Sequence, residues 1–158
     1  MSHPVHIYET FIRSTPDQIW KALTSSEFTR QYFHQCSVHS DWAEGSTVRY
    51  SDDSRDSIME GRVLVSDPPR QLCYTWRFTY DPDLAAEGDS RVTFDIEPMG
   101  KVCRLRITHD WFDRENKTYE HISGGWAIIL SSLKSLLETG QALPLAGNED
   151  AADQRGAA

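Results

Sequence analysis

Residues 121–140, HISGGWAIILSSLKSLLETG, carry the strongest helical pattern in the chain and decide its fold. Together with Tyr119, the large apolar side chains of this segment recur every three or four residues. At ~100° per residue they fall on one arc about 120° wide, which holds Tyr119, Ile122, Trp126, Ile129, Leu130, Leu133, Leu136 and Leu137. The segment therefore predicts a long amphipathic helix, ended by Gly140, whose apolar stripe another element must cover.

Two adjacent glycines, Gly124 and Gly125, interrupt this helix, although glycine costs a helix interior about 0.5–1 kcal/mol relative to alanine. On the helical wheel Gly125 lies beside the apolar arc, whereas Gly124 lies almost opposite to it. We expect Gly125 to let the helix approach a strand or loop closely, and Gly124 to mark a point where the helix can bend. Residues 119–126 are hypothesised to form the mobile lip of a cavity, with Leu130 onward as its lid.

The rest of the chain predicts strands and two short helices. Residues 5–13 are rich in β-branched and aromatic side chains and predict a strand. Residues 14–24 predict a helix capped by Ser14 or Thr15, and residues 25–33 predict a second one. Six segments with a period of two follow, separated by turn residues that favour antiparallel pairing: residues 36–40, 46–51, 57–67, 70–80, 90–98 and 101–112.

Alternation in three of these strands places apolar side chains on one face and polar side chains on the other. The apolar face consists of Leu72, Tyr74, Trp76, Phe78, Tyr80, Val92, Phe94, Ile96, Cys103, Leu105, Ile107, His109 and Trp111. The acidic loop at residues 81–89 is expected to be mobile. The predicted class is α+β: a helix-grip fold in which a curved antiparallel sheet of about seven strands, with two short helices, holds a long C-terminal helix. We expect one domain over residues 1–143 and a disordered tail over residues 144–158.

Composition excludes several classes of partner. The formal net charge is −8 without any basic run, which disfavours nucleic acid and anionic membranes as partners. Apolar runs are too short for a membrane span, and the first residues do not resemble a secretory signal, so a cytoplasmic location is expected. Three scattered cysteines indicate free thiols rather than a disulfide framework. Five Trp, six Tyr and six Phe suit either a thick core or an aromatic-lined pocket.

Four segments in order resemble a known family: TPDQIWKALTSSEFTRQYF (residues 15–33), GRVLVSDPPRQLCYTW (61–76), RVTFDIEPMGKVCRLRITHDWF (91–112) and GGWAIILSSLKSLLE (124–138). They are similar to the START-like (Bet v 1-like, SRPBCC) superfamily, and within it to the C-terminal domain of the activator of heat shock protein 90 ATPase. The resemblance covers about residues 5–140.

This resemblance implies a cavity between the sheet and the long helix, often used for an apolar small molecule. The eukaryotic activator stimulates its chaperone through a separate N-terminal domain with an Asn-rich, Trp-containing motif, and Asn-Asn-Trp does not occur in this chain. Bacterial stand-alone members resemble ligand-binding modules, and some relatives are aromatases or cyclases. The resemblance also suggests a role in the stress response.

Candidate site residues come from the covered face and the helix. We expect a ligand to contact Trp76, Phe78, Phe94, Ile107, His109, Trp111, Ile122, Trp126 and Leu130. Among these, His109 is either a polar anchor or general acid/base, or a strand-end histidine bonded to a backbone carbonyl. We assign no catalytic residue, metal or cofactor.

The segment HQCSVH is the nearest approach to a metal motif, because His34, Cys36 and His39 are ligand types that zinc accepts. On a strand His39 points away from Cys36, and the sequence offers no fourth ligand. We therefore do not predict a zinc site.

Three functions remain open at this point. The first is binding of an apolar or aromatic small molecule without turnover, as a carrier or sensor. The second is a chaperone-associated module that acts through its outer surface. The third is a cyclase or aromatase type of enzyme that uses His109 as its acid/base. The oligomeric state is not predicted.

Overall fold

The computed structural model describes residues 3–144. In chain order these contain β1 (His6–Ile12), α1 (Pro16–Thr24), α2 (Ser26–Tyr32), β2 (Ser37–His39), β3 (Thr47–Ser51), β4 (Met59–Asp67), β5 (Gln71–Phe78), α3 (Pro82–Ala85), β6 (Ser90–Met99), β7 (Val102–Asp110) and α4 (Lys117–Thr139). Beyond Pro144, the tail expected to be disordered lies outside the described residues.

The strands form one antiparallel sheet in the order β1-β7-β6-β5-β4-β3-β2. The first strand therefore crosses to the far edge and pairs with the last one, which sets His6 opposite His109. Every other pairing joins neighbours in the sequence, as the short turns predict. The predicted helix-grip fold is confirmed, with seven strands and α4 laid across one face of the sheet.

Both ends of α4 carry the side chains that helix ends require. Asn116 Oδ1 accepts a hydrogen bond from the Tyr119 backbone N–H over 2.8 Å, so the helix begins before the segment that identified it. At the other end Gly140 adopts a left-handed conformation (φ 85°) and donates its N–H to the Leu136 carbonyl. The helix is thus capped at both ends and is 23 residues long.

The core lies between α4 and the sheet, on the face predicted to be covered. The Trp126 ring on α4 lies 5.3 Å from the Trp76 ring on β5 and 5.8 Å from the Phe94 ring on β6. The α1–α2 pair closes one side, where Ile19, Ala22 and Leu23 are buried. The core is therefore thick and aromatic in its middle.

The predicted placement of Trp111 on the covered face is wrong. β7 ends at Asp110, and Trp111 has a φ of +69°, so the period-two alternation stops there. The Trp111 side chain is 51% exposed and lies 4.7 Å from the Arg91 guanidinium, which Asp110 also binds. Phe112, only 3% exposed, occupies the inward position instead.

The acidic loop expected to be mobile contains an anchored helix. Asp81 caps α3 by accepting from the Asp83 backbone N–H, and Leu84 is 2% exposed. Glu87 then accepts hydrogen bonds from the backbone N–H groups of Lys117 and Thr118, over 3.1 and 2.8 Å. The loop therefore contains a helix and contacts the first turn of α4.

The glycine that permits a close approach is Gly61, not Gly125. A Cβ at Gly61 in β4 would lie 1.7 Å from the Thr75 carbonyl oxygen of β5, so no other residue fits there. At Gly125 a Cβ would meet only Ile129 Cδ1, at 4.0 Å. Gly124 is exposed, and a Cβ there has nothing within 4 Å. The expected tight packing at Gly125 is therefore absent.

Candidate ligand-binding site

A cavity of about 360 Å³ lies between β3–β5 and the first half of α4. Its walls are mostly aromatic and aliphatic, and are formed by Phe33, Tyr50, Ile58, Met59, Trp76, Phe78, Ile122, Gly125, Trp126 and Ile129. Polar groups line the remainder, namely His34, Cys36, Asp52, Arg55, Tyr80 and His121. Pockets that hold small molecules are built in this way, with a few polar groups set in an apolar wall.

The bare backbone of Gly125 contributes to this space. Gly125 lines the cavity, and a Cβ at this position would lie 4.0 Å from its nearest neighbour, Ile129 Cδ1. The absent side chain therefore leaves room at the wall. Gly124, one residue earlier, points to solvent and does not line the cavity. The two glycines therefore differ, but the difference concerns cavity volume rather than helix packing.

The mouth of the cavity is formed by Arg55, Tyr80 and His121, which are all exposed. Arg55 lies 4.9 Å from the Tyr80 ring and 3.5 Å from an oxygen of Asp52. His121 Nδ1 donates to the Lys117 carbonyl over 2.8 Å. The cation at the mouth is thus already paired with a carboxylate and a ring.

The turn between α2 and β2 is strained where it meets the cavity. His34 and Gln35 both have positive φ values, 49° and 61°, which non-glycine residues seldom adopt. This turn brings Cys36 into the wall, where burial foremost raises the pKa of its thiol to about 12. The thiol is therefore protonated at neutral pH and is a poor nucleophile.

Trp76 lines the cavity, but its indole nitrogen is buried without a hydrogen-bond partner. Its side chain is 3% exposed, and its indole nitrogen is one of two buried side-chain polar atoms in residues 3–144 without a hydrogen-bond partner. The other is His6 Nε2 on β1. Leaving a buried donor unpaired costs about 1–3 kcal/mol.

Tyr50, the neighbouring polar wall residue, is satisfied within the protein. Its hydroxyl lies 2.8 Å from the Tyr74 hydroxyl, and its ring lies 5.6 Å from the Trp76 ring. Burial, followed by the proximity of Tyr74, raises the pKa of Tyr50 well above its usual value. The phenol is therefore neutral and does not act as a base at this wall.

Both ring nitrogens of His109 are hydrogen-bonded inside the core, so its role there is structural. Trp126 Nε1 donates to His109 Nδ1 over 3.0 Å, so the ring proton is on Nε2. Nε2 then donates to Ser90 Oγ over 2.7 Å, and Ser90 Oγ donates to the Trp76 carbonyl over 3.2 Å. Burial, with a smaller effect of His6, lowers the pKa of His109 to about 3. The imidazole is neutral and has no free nitrogen.

The nine residues expected to contact a ligand separate into three groups. Four line the cavity: Trp76, Phe78, Ile122 and Trp126. Four are buried in the adjoining core without lining it: Phe94, Ile107, His109 and Leu130. Trp111 lies on the surface, away from both. The alternation therefore identified the correct core face but did not show how far the cavity extends along it.

The missed residues come from the other half of the sheet and from α2. Phe33 directly follows α2, and Tyr50 and Met59 occupy the inward positions of β3 and β4. Their periodicity was a usable signal. Asp52 and Arg55 lie in the irregular β3–β4 connection, where no periodic pattern identifies a facing side chain.

Two further features follow from the described part of the chain. None of the helices in residues 3–144 has the length and apolar character needed to cross a membrane. The same residues hold no group of three His, Cys, Asp or Glu side chains placed to bind a metal ion. His39, which belonged to the metal-like segment, bonds Ser51 Oγ through Nε2, at 2.8 Å.

Solved structures with the same fold come from several bacteria. The solution structure of the Aha1 dimer from Colwellia psychrerythraea matches with a TM-score of 0.72 and 19% identity, covering 88% of this chain and 99% of that one. Protein MLL2253 from Mesorhizobium loti gives a TM-score of 0.72 and 26% identity, covering 85% and 96%. CalU16 from Micromonospora echinospora gives 0.68 and 17%, covering 99% and 96%.

No curated protein matches the sequence significantly. The sequence profile of one family does match, over residues 13–138. That span begins at the end of β1 and ends within the last turn of α4, so it includes the whole cavity. The chain belongs to the family described as Activator of Hsp90 ATPase homolog 1-like protein.

Proposed function

We propose that this protein binds an apolar or aromatic small molecule in the cavity, without turnover, as a carrier or sensor. The observation that carries the proposal is the cavity itself, about 360 Å³ enclosed mainly by aromatic and aliphatic side chains. That volume falls within the range of small-molecule sites, about 300–1,000 Å³. A core built for stability alone would fill this space with side chains, because protein interiors are close-packed.

The states of the nearby reactive groups favour binding over chemistry. Cys36 lines the cavity as a protonated thiol, and His109 is neutral with both nitrogens engaged. A general acid/base needs a pKa near the working pH and access to the substrate, and His109 has neither. The cyclase or aromatase hypothesis based on His109 therefore loses its principal residue.

The test is a panel of apolar and aromatic compounds, monitored by quenching of tryptophan fluorescence and by the shift in Tm. Trp76 and Trp126 both line the cavity, so a ligand there changes their emission. We expect Gly125→Leu to weaken binding at least about tenfold by occupying the cavity. Gly124→Leu is the matched control and leaves binding unchanged. A panel without any binder, or equal losses in the two variants, contradicts the proposal.

A second function, association with a chaperone, is supported by the family description and by the outer face of β1. Ile7 and Phe11 on this edge strand are 59% and 46% exposed, which leaves apolar side chains available to a protein partner. Binding to an Hsp90-type chaperone would then be lost in Ile7→Ser/Phe11→Ser and retained in Gly125→Leu. The reverse pattern, or no association, removes this second function.

A further inference from the structure

We propose that the ligand carries a carboxylate that binds the Arg55 guanidinium at the cavity mouth, while its apolar or aromatic body fills the cavity. This inference rests on the proposed ligand-binding function and specifies the chemical class of the ligand, an amphipathic acid. It starts from the arginine among the lining residues, which the protein positions but leaves with unused N–H donors.

The guanidinium of Arg55 is positioned by two other lining residues. Its central carbon lies 4.9 Å from the centroid of the Tyr80 ring, and its Nη2 lies 3.5 Å from Asp52 Oδ2. Because Tyr80 and Asp52 both line the cavity, the guanidinium lies at the mouth beside them. The side chain of Arg55 is 50% exposed, so half of its surface is open to water or to a ligand.

Asp52 does not saturate this cation. Its Oδ1 accepts hydrogen bonds from the backbone N–H groups of Ser54 and Arg55, over 2.8 and 2.7 Å, and so belongs to the turn. Its Oδ2 accepts from Arg55 Nη2 over 3.5 Å, which is longer than the usual N–H···O range of about 2.7–3.2 Å. A guanidinium carries several N–H donors in one plane, and within residues 3–144 this is the one hydrogen bond of the Arg55 side chain.

Other arginines in the chain show what a saturated pair looks like. Arg91 donates to both oxygens of Asp110, over 2.8 and 2.6 Å. Arg70 lies 2.7 Å from Asp67, at the same i,i+3 spacing as Arg55 and Asp52. The long contact of Arg55 is therefore not imposed by the spacing of the two residues.

A carboxylate suits this mouth better than a neutral group. Its two oxygens match the N–H groups of a guanidinium, and charge-assisted hydrogen bonds are about twice as strong as neutral ones. The exposure of the mouth keeps the charge partly hydrated, so it is not buried without a partner. The remaining polar residues at the mouth, His34, Tyr80 and His121, bear no carboxylate that would repel it.

The experiment compares 2-naphthoate with 2-naphthamide, two flat molecules of similar shape, of which only the first is charged. In calorimetry at pH 7 we expect the wild type to bind naphthoate about tenfold more tightly, because only the carboxylate forms an ion pair with Arg55. Arg55→Gln should lose this preference and keep its affinity for naphthamide within about twofold. Arg30→Gln is the matched control and keeps the preference, because Arg30 pairs with Asp53 and does not line the cavity.

A second variant reports through a gain of affinity, which a misfolded protein does not give. Asp52→Asn keeps an Oδ1 acceptor for the turn and removes the carboxylate that competes for Arg55. We expect it to bind naphthoate about threefold more tightly than the wild type and naphthamide equally well. An unchanged or weaker affinity for naphthoate in this variant contradicts the ion pair.

The outcomes separate the inference from the proposed function. Equal affinities of the wild type for the two compounds, a preference that survives Arg55→Gln, or panel binders that include no acid overturn the inference and leave the proposed function intact. Failure of both compounds and of the wider panel overturns the inference and the proposed function together.

Discussion

Trp76 and Trp126 lie side by side in one core but belong to differently built regions. Around Trp126, a chain of hydrogen bonds runs through His109 and Ser90 to the β5 backbone, and each of its polar atoms has a partner. Around Trp76, the same core opens into a cavity and leaves an indole N–H unpaired. We call the first region, Ser90, His109 and Trp126, the sealed node, and the second the open cavity.

The two regions divide stability from the proposed ligand binding. A fully satisfied buried network fixes one arrangement of the elements it joins, and here it joins α4 to three strands. A cavity gives up packing energy that a bound molecule can restore. Substitution of His109, which does not line the cavity, should therefore change stability, whereas substitution of Gly125, which does line it, should change binding.

The largest expected effect tests the sealed node directly. His109→Ala removes a buried ring and leaves Trp126 Nε1 without its partner, so we expect a loss of about 4 kcal/mol in the free energy of unfolding. Urea unfolding at pH 7 measures it. His121→Ala, at the exposed mouth, is the control and should cost less than about 0.5 kcal/mol. A loss below about 1 kcal/mol for His109→Ala would contradict the structural role assigned to the sealed node.

The next largest expected effect is the dependence of the free energy of unfolding on pH. His109 has a pKa of about 3 in the folded protein and 6.5 as its ordinary value, so above pH 6.5 it is neutral in both states. As the pH falls from 6.5 towards 3, the unfolded state alone takes up a proton, and stability falls. At pH 5 this amounts to about 2 kcal/mol, at ~1.4 kcal/mol per pH unit.

The measurement is urea unfolding of wild type and His109→Gln at pH 7 and pH 5. The wild type should lose about 2 kcal/mol more than the variant on acidification, because glutamine does not titrate. Parallel losses in both proteins would show that His109 is protonated in the fold, and that the node is not sealed.

The sealed node also shows how much of this structure can be predicted from the sequence alone. Period-two alternation placed His109 correctly on the covered face, and the helical arc placed Trp126 correctly on the buried stripe of α4. Their hydrogen bond was not predictable, because it depends on the register of β7 against α4 and not on either pattern. Ser90 could not be identified from the sequence either, because a serine at the start of a strand is usually exposed.

The open cavity was harder to predict than the fold. The volume of a cavity depends on which side chains are absent from it. The apolar pattern of a sequence is the same whether those side chains fill the core or line a cavity. Phe94 and Leu130 were expected to contact a ligand but pack into the core, while Phe33 and Met59 line the cavity instead. The predicted placement of Trp111 was wrong for a local reason, because its positive φ ends the alternation of β7.

A smaller effect tests what holds the cavity wall in place. Partial burial alone would raise the pKa of the Glu87 carboxyl, but hydrogen bonds from Thr118 and Lys117 outweigh it and lower that pKa. We expect Glu87→Gln to cost about 1.5 kcal/mol, because charged hydrogen bonds to the first turn of α4 are lost. In the wild type this stabilisation is present above pH 4.5 and is lost as the pH falls below it.

Urea unfolding gives the cost of Glu87→Gln, and hydrogen exchange at residues 117–122 locates it. Glu120→Gln is the matched control, because it removes the same charge from the first turn of α4. Equal effects in the two variants would mean that general electrostatics, and not the hydrogen bonds of Glu87, holds this turn.

The smallest effects separate the two glycines of α4. Both positions accept a Cβ without a clash, so Gly124→Ala and Gly125→Ala should each stabilise the fold by about 0.5–1 kcal/mol through helix propensity.

Binding should distinguish them, since only the Gly125 methyl enters the cavity. A ligand that fills the cavity should lose about fourfold in affinity to Gly125→Ala, equivalent to one displaced CH2 group at ~0.8 kcal/mol, and nothing to Gly124→Ala. Thermal unfolding and calorimetry on the same samples measure both quantities. If Gly125→Ala destabilises the fold, the helix is packed closely there after all, and the open cavity does not reach α4.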